Sequence, residues 1–358
     1  MLRLLPRQWR RKGRAGDEML NKQELKEVAL SCGADAVGVG SMDRFEGAPP
    51  EMDPRRMFPT AKSVIGMIFR IPRGYIRGIE EGTQFFQYPA LGYAAINEDF
   101  APSVLYAVGR HIEDRGYEAM VYRNTGGRGS VSDMTGKRQF EESPEVAGRS
   151  VRFSRPAKPG QPEPDIQIHF RIAAFICGLG EIGWSKMFLT PDFGPLNRQA
   201  FIFTDAEIEP DPLYDGEPLC NRCMACVAHC PGKCLPREEA VRVTVAGREL
   251  SWAKLDEWSC FSYYKGANRA SNPFLPENAY EGIPDGDRII KGECPVDAEG
   301  FRRLAPVIKK TYPSPPCGYN PPKCGGCLRA CLSMMEKRGI LRKKFVNRFR
   351  TAKPWKAC

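Results

Sequence analysis

Residues 220 to 231 read C-N-R-C-M-A-C-V-A-H-C-P, and a second run, C-G-G-C-L-R-A-C, occupies residues 324 to 331. Three thiolates separated by two residues each can wrap one face of an iron–sulfur cubane in a tight loop. A fourth cysteine, three residues on and followed by proline, starts a helix that points elsewhere and serves a second cluster. The spacing therefore implies two 4Fe-4S clusters. Cys220, Cys223 and Cys226 hold the first, with Cys331 as the distant ligand, while Cys230, Cys324 and Cys327 hold three corners of the second. The last ligand lies among Cys234, Cys260, Cys294 and Cys317. Zinc takes paired C-x-x-C halves and closes at four ligands, so the run argues against it. No secretory signal accompanies the cysteines, which argues against disulfides.

The chain has 358 residues, 42% of them hydrophobic and 27% charged, as expected of a globular protein long enough for two domains. Its net charge of +10 sits at the ends: residues 1 to 16 carry six Lys or Arg and no acid, and residues 337 to 358 carry nine and no acid. The middle is left mildly acidic, so the basic character reads as solvated tails able to touch nucleic acid or an acidic partner. No apolar stretch has the length of a membrane span. Arg10 and Arg11 precede K-G-R-A-G-D-E rather than an apolar export segment, so the expected location is cytoplasmic.

From Met19, charged and apolar residues alternate at helical spacing and stop at Gly33, and A-V-G-V-G then reads as a strand. Residues 61 to 71 form a buried strand, 94 to 115 a long helix with His111 on an exposed face, and Y-E-A-M-V-Y the strand after it. This alternation implies an α/β domain. Residues 124 to 164 lack a period and read as a long functional or disordered loop. D-I-Q-I-H-F-R-I-A-A-F-I-C-G is helical, and residues 187 to 205 form two strands around a turn. A cluster domain begins near Pro210, with a hairpin turning at Ala246-Gly247 and a helix through Trp258 that delivers Cys260.

Gly178, Gly180 and Gly183 match the dinucleotide fingerprint G-x-G-x-x-G formally. That fingerprint needs a strand before it and a helix after it, and here the order is reversed. The glycines suit a helix end whose backbone closely approaches a neighbouring strand or a flat cofactor.

Several segments together resemble the iron–sulfur group that includes epoxyqueuosine reductase and the cobalamin-dependent reductive dehalogenases. They are F-E-G-A-P-P at 45, F-P-T-A-K-S-V-I-G at 58, G-L-G-E-I-G-W at 178, L-T-P-D-F-G-P at 189 and the two cysteine runs. The resemblance covers about two thirds of the chain. It implies an α+β fold: a nitroreductase-like α/β core over residues 19–209, then a ferredoxin-like domain with two 4Fe-4S clusters over 210–335. A basic arm over 1–18 and a basic tail over 336–358 flank them. In epoxyqueuosine reductase a lone cysteine in a C-I-S-Y-L type segment completes the second cluster, and C-F-S-Y-Y makes Cys260 its counterpart.

The resemblance further implies cobalamin, held base-off, with Gly178, Gly180 and Gly183 as candidate cofactor contacts. Electrons from a low-potential donor such as ferredoxin or flavodoxin would cross the clusters to the corrinoid, which reduces a small organic substrate. Candidate proton donors are Asp165 and Tyr263, with His169, Glu181 and Tyr264 as alternatives. A lower-ligand D-x-H-x-x-G segment is absent. Leu332 follows the second run's last cysteine where the motif has proline, and residues 332–358 leave no room for the tRNA-binding helical repeats usual in epoxyqueuosine reductases. Two other readings are an electron carrier with two clusters and no corrinoid, and a tRNA-modifying reductase that uses the basic tail.

Overall fold

The fold was analysed in a computed structural model, which describes residues 20–124, 166–311 and 324–355. Asp165, Cys317, Cys358 and the long segment after Asn124 lie outside the described residues.

Helix α1 (Lys22–Cys32) starts where the Asn21 side chain accepts a hydrogen bond from the Glu24 amide, and stops at Gly33, whose φ of 119° only glycine adopts freely. Strands β1 (Ala36–Ser41) and β2 (Ser63–Arg70) follow, then a short helix α2 (Arg77–Glu81). A π-helical stretch, Tyr88–Phe100, runs into α3 (Ala101–Glu113), and β3 (Ala119–Tyr122) returns to the sheet. After the undescribed segment come α4 (Phe170–Ile176), the two-residue strands β4 (Glu181–Ile182) and β5 (Phe188–Leu189), and β6 (Asn197–Thr204). The cysteine-rich part contains α5 (Ala225–Ala228), the hairpin β7 (Ala240–Val245) and β8 (Arg248–Ala253), and helices α6 (Glu257–Tyr264), α7 (Gly286–Ile289), α8 (Ala298–Thr311) and α9 (Gly326–Arg338).

The main sheet has the order β1-β2-β6-β3, with every pair antiparallel. The helix–strand alternation implied an α/β domain, and with its antiparallel sheet the mixture is α+β. The two strands expected around the turn at Pro191 do not pair with each other: β5 pairs with β4, and β6 with β2 and β3.

Both sheet faces are covered, which explains why β2 is apolar throughout rather than alternating. Ile65, Met67 and Phe69 share a core with Leu25 and Val28 of α1 and Val104, Leu105 and Val108 of α3. Val64 and Ile68 share a second core with Ala173, Phe175 and Ile176 of α4. The end of α4 lies very close to the sheet: a Cβ on Gly38 would stand 2.1 Å from the Cys177 carbonyl oxygen.

His111 is buried on α3 at 2% exposure, not on its exposed face, because α3 is covered by α1: Arg115 reaches Glu24 at 2.6 Å. The basic C-terminal stretch is likewise no free tail through residue 355. Leu341 and Phe349 are buried in the first core, and the Trp355 amide donates to the Glu80 carbonyl at 2.9 Å.

Candidate metal centre

The first cysteine run is a loop before and through α5. Arg222 and Met224 take left-handed φ values of 54° and 57°, a winding that non-glycine residues adopt only when the surroundings demand it. Its position is fixed from the α/β core: the Cys220 amide donates to Glu181 Oε1 at 2.5 Å, and the Trp184 amide donates to Cys220 Sγ at 3.3 Å. Glu181 is thereby a positioning carboxylate for the cysteine loop. Burial raises its pKa, opposed by the amides of Cys220 and Leu219.

Helix α9 brings the second run against this loop. Cys331 is raised by burial and then by the charges of Cys220, Cys226 and Cys223, which places four thiols in mutual electrostatic range. They line one cavity of about 30 Å³ together with Trp184, Met335 and Arg338. Burial first, then Cys220, pushes Cys226 up to about 11, whereas Cys223 is exposed.

A second set forms around Cys260, which α6 delivers as the sequence implied. Asp256 caps that helix by accepting from the Ser259 amide at 3.0 Å. Cys260 is raised by burial and then by Cys324 and Cys230; Cys327 by burial and then by Cys324, Cys260 and Cys230. Burial also takes Cys324 up to about 11, partly offset by the amide of Gly326 and by Arg329. Cys230 alone among them is lowered, to about 6, first through the Cys234 thiol and then through backbone amides including that of Cys234. Cys234 therefore stands beside this set too, its amide 3.3 Å from Cys230 Sγ. Cys294 serves differently: its carbonyl accepts the hydrogen bond of the Tyr263 hydroxyl. Among the described residues, no three His, Cys, Asp or Glu side chains converge as ligands of a single metal ion.

The glycines of G-L-G-E-I-G face protein. A Cβ on Gly178 would lie 2.2 Å from the Pro212 carbonyl oxygen, one on Gly180 2.0 Å from that of Leu189, and one on Gly183 2.9 Å from Leu189 Cδ1. Gly178 and Gly180 also have φ values of 72° and 151°. Of the two close approaches considered, the Cβ side of each glycine meets neighbouring strand and loop.

Tyr263, at 1% exposure, sits in the apolar core of the cysteine-rich part with its hydroxyl committed to Cys294. Its neighbour Tyr264 points into a different environment, with Tyr88, Tyr93, Arg198 and Cys324. Arg198 Nη2 reaches the Tyr88 hydroxyl at 3.2 Å, and its guanidinium lies 4.3 Å from the centre of the Tyr93 ring. Arg171, lowered chiefly by burial, feels Glu257, Arg198 and Cys260. Arg171, Arg198, Tyr93 and Tyr264 are each half-buried and gather in electrostatic range of Cys260 and Cys324. His169 caps α4 and stacks on Trp252 at 5.7 Å; burial, then Arg171 and Lys186, lower it to about 3.

Sequence reasoning missed Arg198, Tyr88 and Tyr93. The available signal was an arginine in N-R-Q-A-F-I-F, a charge leading into the apolar run of a strand.

No family model matches the chain. Tetrachloroethene reductive dehalogenase of Desulfitobacterium hafniense is 29% identical over 119 residues, 32% of this chain and 21% of that protein. The enzyme of the same name from Dehalobacter restrictus is 28% identical over the same length and shares. The match thus spans about a fifth of these relatives' own length. Among solved structures, a reductive dehalogenase studied for B12-dependent dehalogenation superposes with a TM-score of 0.50 at 15% identity, over 78% of this chain and 37% of that one. An epoxyqueuosine reductase with a tRNA stem loop gives 0.41 at 16% identity, over 84% and 69%. The chain takes the fold of the reductive dehalogenases and resembles, as its motifs implied, the group formed by those enzymes and epoxyqueuosine reductase.

Proposed function

We propose that the chain is an iron–sulfur oxidoreductase in which two 4Fe-4S clusters pass single electrons to a corrinoid that reduces a small organic substrate. The carrying observation is that Cys220, Cys223, Cys226 and Cys331 line one cavity, while Cys230, Cys260, Cys324 and Cys327 lie within electrostatic range of one another with Cys234 beside them. This all-thiol donor set fits iron–sulfur clusters, which supply one-electron transfer at low potential. Burial raises Cys226, Cys260, Cys324, Cys327 and Cys331, so these thiols release protons as they bind iron.

The group of polar side chains beside Cys260 suits a polar acceptor. Arg171 and Arg198 offer donors suited to the amide and phosphate groups of a corrinoid, and the phenol of Tyr264, raised well above its ordinary value by burial, stays protonated at neutral pH. Tyr264 is placed to hold the proton a reduction consumes, and Tyr263 to brace the cysteine-rich core. In this reading residues 20–209 are the corrinoid-holding unit and residues 210–335 the ferredoxin-like one.

One observation favours a second reading, an electron carrier without corrinoid: protein backbone fills the space in front of Gly178 and Gly180. Anaerobic purification with iron, sulfide and cobalt quantified together, then spectra after adding cobalamin, separates the two. About eight irons with stoichiometric corrinoid support the reductase, and an Arg198→Met variant is expected to lose the corrinoid but keep its iron. Eight irons without corrinoid uptake favour the carrier, and substoichiometric iron overturns both.

A further inference from the structure

The two thiol sets differ in depth. Cys223 of the first set is exposed, whereas Cys230, Cys260, Cys324 and Cys327 of the second are each only partly accessible. An external electron donor therefore approaches the first set, and the surface around it has a distinct chemistry.

Arg338, at the end of α9, lines the first set's cavity and donates to the carbonyls of Leu219 and Pro218 just before Cys220, at 2.8 and 2.9 Å. The chain then turns along the same face. The Arg342 amide donates to the Pro191 carbonyl at 3.0 Å, and Lys343 Nζ lies 5.8 Å from the Phe193 ring centre. Leu189, just before these residues, lines the same cavity. From Arg342 to Arg348 every residue is exposed, and the stretch R-K-K-F-V-N-R adds four cations to Arg222 and Arg338. The acids here are fewer than the cations: Asp192 is 4.0 Å from Arg342, Glu217 is 3.7 Å from Arg338, Glu336 is committed to Arg73 at 2.7 Å, and exposed Asp215 stands with Glu217 and Arg342 around Tyr214.

Among these charges stand two apolar side chains, Phe345 at 52% exposure and Val346 at 102%. Phe345 is held rather than loose. The Arg73 guanidinium packs 3.7 Å from its ring centre and donates to the neighbouring Asn347 carbonyl at 3.0 Å. Exposing such groups costs hydration free energy and offers an interface a preformed anchor.

We propose that this face, formed by Arg222, Arg338 and residues 342–348 beside Cys223, is the docking surface for a small acidic one-electron donor protein. The cations steer an acidic partner over long range, and Phe345 and Val346 supply the short-range contact that orients it. Nucleic acid fits less well: Val346 has no stacking face, and one face of Phe345 is already taken by Arg73. The transfer is balanced simply. One electron leaves the donor's reduced centre and enters the first cluster, with no bond made or broken and no proton moved. The inference rests on the reading of the first set as a cluster site.

The test uses iron-loaded full chain and, as probe, a reduced acidic plant-type ferredoxin, with cluster bleaching followed by stopped flow. The expected second-order rate falls about tenfold or more from low to high salt. Lys343→Glu with Lys344→Glu is expected to lower it about 10- to 100-fold at low salt. Phe345→Ser is expected to weaken the reaction with less change in its salt dependence. Iron content and reduction by dithionite stay unchanged in each variant, which separates docking from folding. Wild-type rates with ferredoxin in the charge-reversal variant, or rates indifferent to salt, overturn the proposal. So does a variant that loses salt-sensitive tRNA binding while its ferredoxin reduction is intact. Protein that takes up no iron at all overturns the cluster reading instead.

Discussion

Arg329 donates from Nη1 to Glu80 Oε2 at 2.5 Å, joining the helix of the second cysteine run to α2 of the core across 249 residues of sequence. Arg350 binds the other carboxylate oxygen and also stands 3.3 Å from His229 Nε2. Glu80 is only 3% exposed, Arg329 8% and Arg350 15%. Burial pushes the Glu80 carboxyl up, but Arg350 and Arg329 outweigh it and hold its pKa below the ordinary value. One carboxylate thus ties together the core, α9 with Cys327 and Cys331, and the C-terminal stretch.

Glu80→Gln leaves two guanidiniums buried without a counter-charge, a change that typically costs about 3 kcal/mol or more. We expect lower resistance to urea and early proteolysis between residues 339 and 355. Wild-type behaviour in both would mean that the pairing contributes little.

The identity of the eighth ligand can be decided by substitution. Cys260→Ala is expected to lose about half the iron, because one cluster of two loses a corner. Cys294→Ala is expected to keep it all, since Cys294 contributes its carbonyl, which the substitution retains. Cys234→Ala is the sharper control, because Cys234 also borders Cys230. Full iron in Cys260→Ala with half in Cys234→Ala would exchange their roles.

Much of this centre was legible in the sequence because ligand spacing is a local constraint. The spacing brought Cys220, Cys223 and Cys226 into one loop, and Cys260 lies on a helix, α6, as the pattern through Trp258 implied. What escaped the sequence was long-range. The strand order was not legible, because it depends on how β6, from the far side of the long segment in sequence, inserts between β2 and β3. The basic C-terminal stretch read as a solvated tail because charge alone does not reveal that Glu80, far away in sequence, awaits Arg350. His111 shows the same limit: its helix face is amphipathic, but only the packing of α1 decides that the imidazole is enclosed.

That enclosure gives stability a pH dependence. Burial, and then Arg115, lower the His111 pKa to about 4, while an unfolded histidine titrates near 6.5. Below that upper value the unfolded chain takes up a proton that the folded one refuses, so stability falls as pH drops from about 6.5 to about 4. The full loss from His111 is on the order of 3 kcal/mol. His169, lowered to about 3, and Glu80, also lowered, act in the same direction. Urea midpoints of wild type and His111→Leu between pH 7 and pH 5 check this. The variant should show the shallower slope, and parallel slopes would show that His111 does not titrate differently in the folded state.

Gly180 offers a last test, of what the glycine motif is for. With φ at 151° and a Leu189 carbonyl oxygen 2.0 Å from where a Cβ would stand, alanine fits neither the backbone nor the space. Gly180→Ala must therefore push β4 away from β5. Because Glu181 and Trp184 hold Cys220 from this same turn, that displacement reaches the first thiol set. We expect Gly180→Ala to lose about 2 kcal/mol or more of stability and, in the fraction that folds, iron from the first cluster ahead of the second. Gly47→Ala provides the comparison: its φ of 80° carries the same backbone strain, but nothing stands within 4 Å of its added methyl group. If the two variants lose iron and stability equally, backbone strain alone is responsible. If Gly180→Ala instead keeps its iron but loses bound corrinoid, the glycines face the cofactor after all.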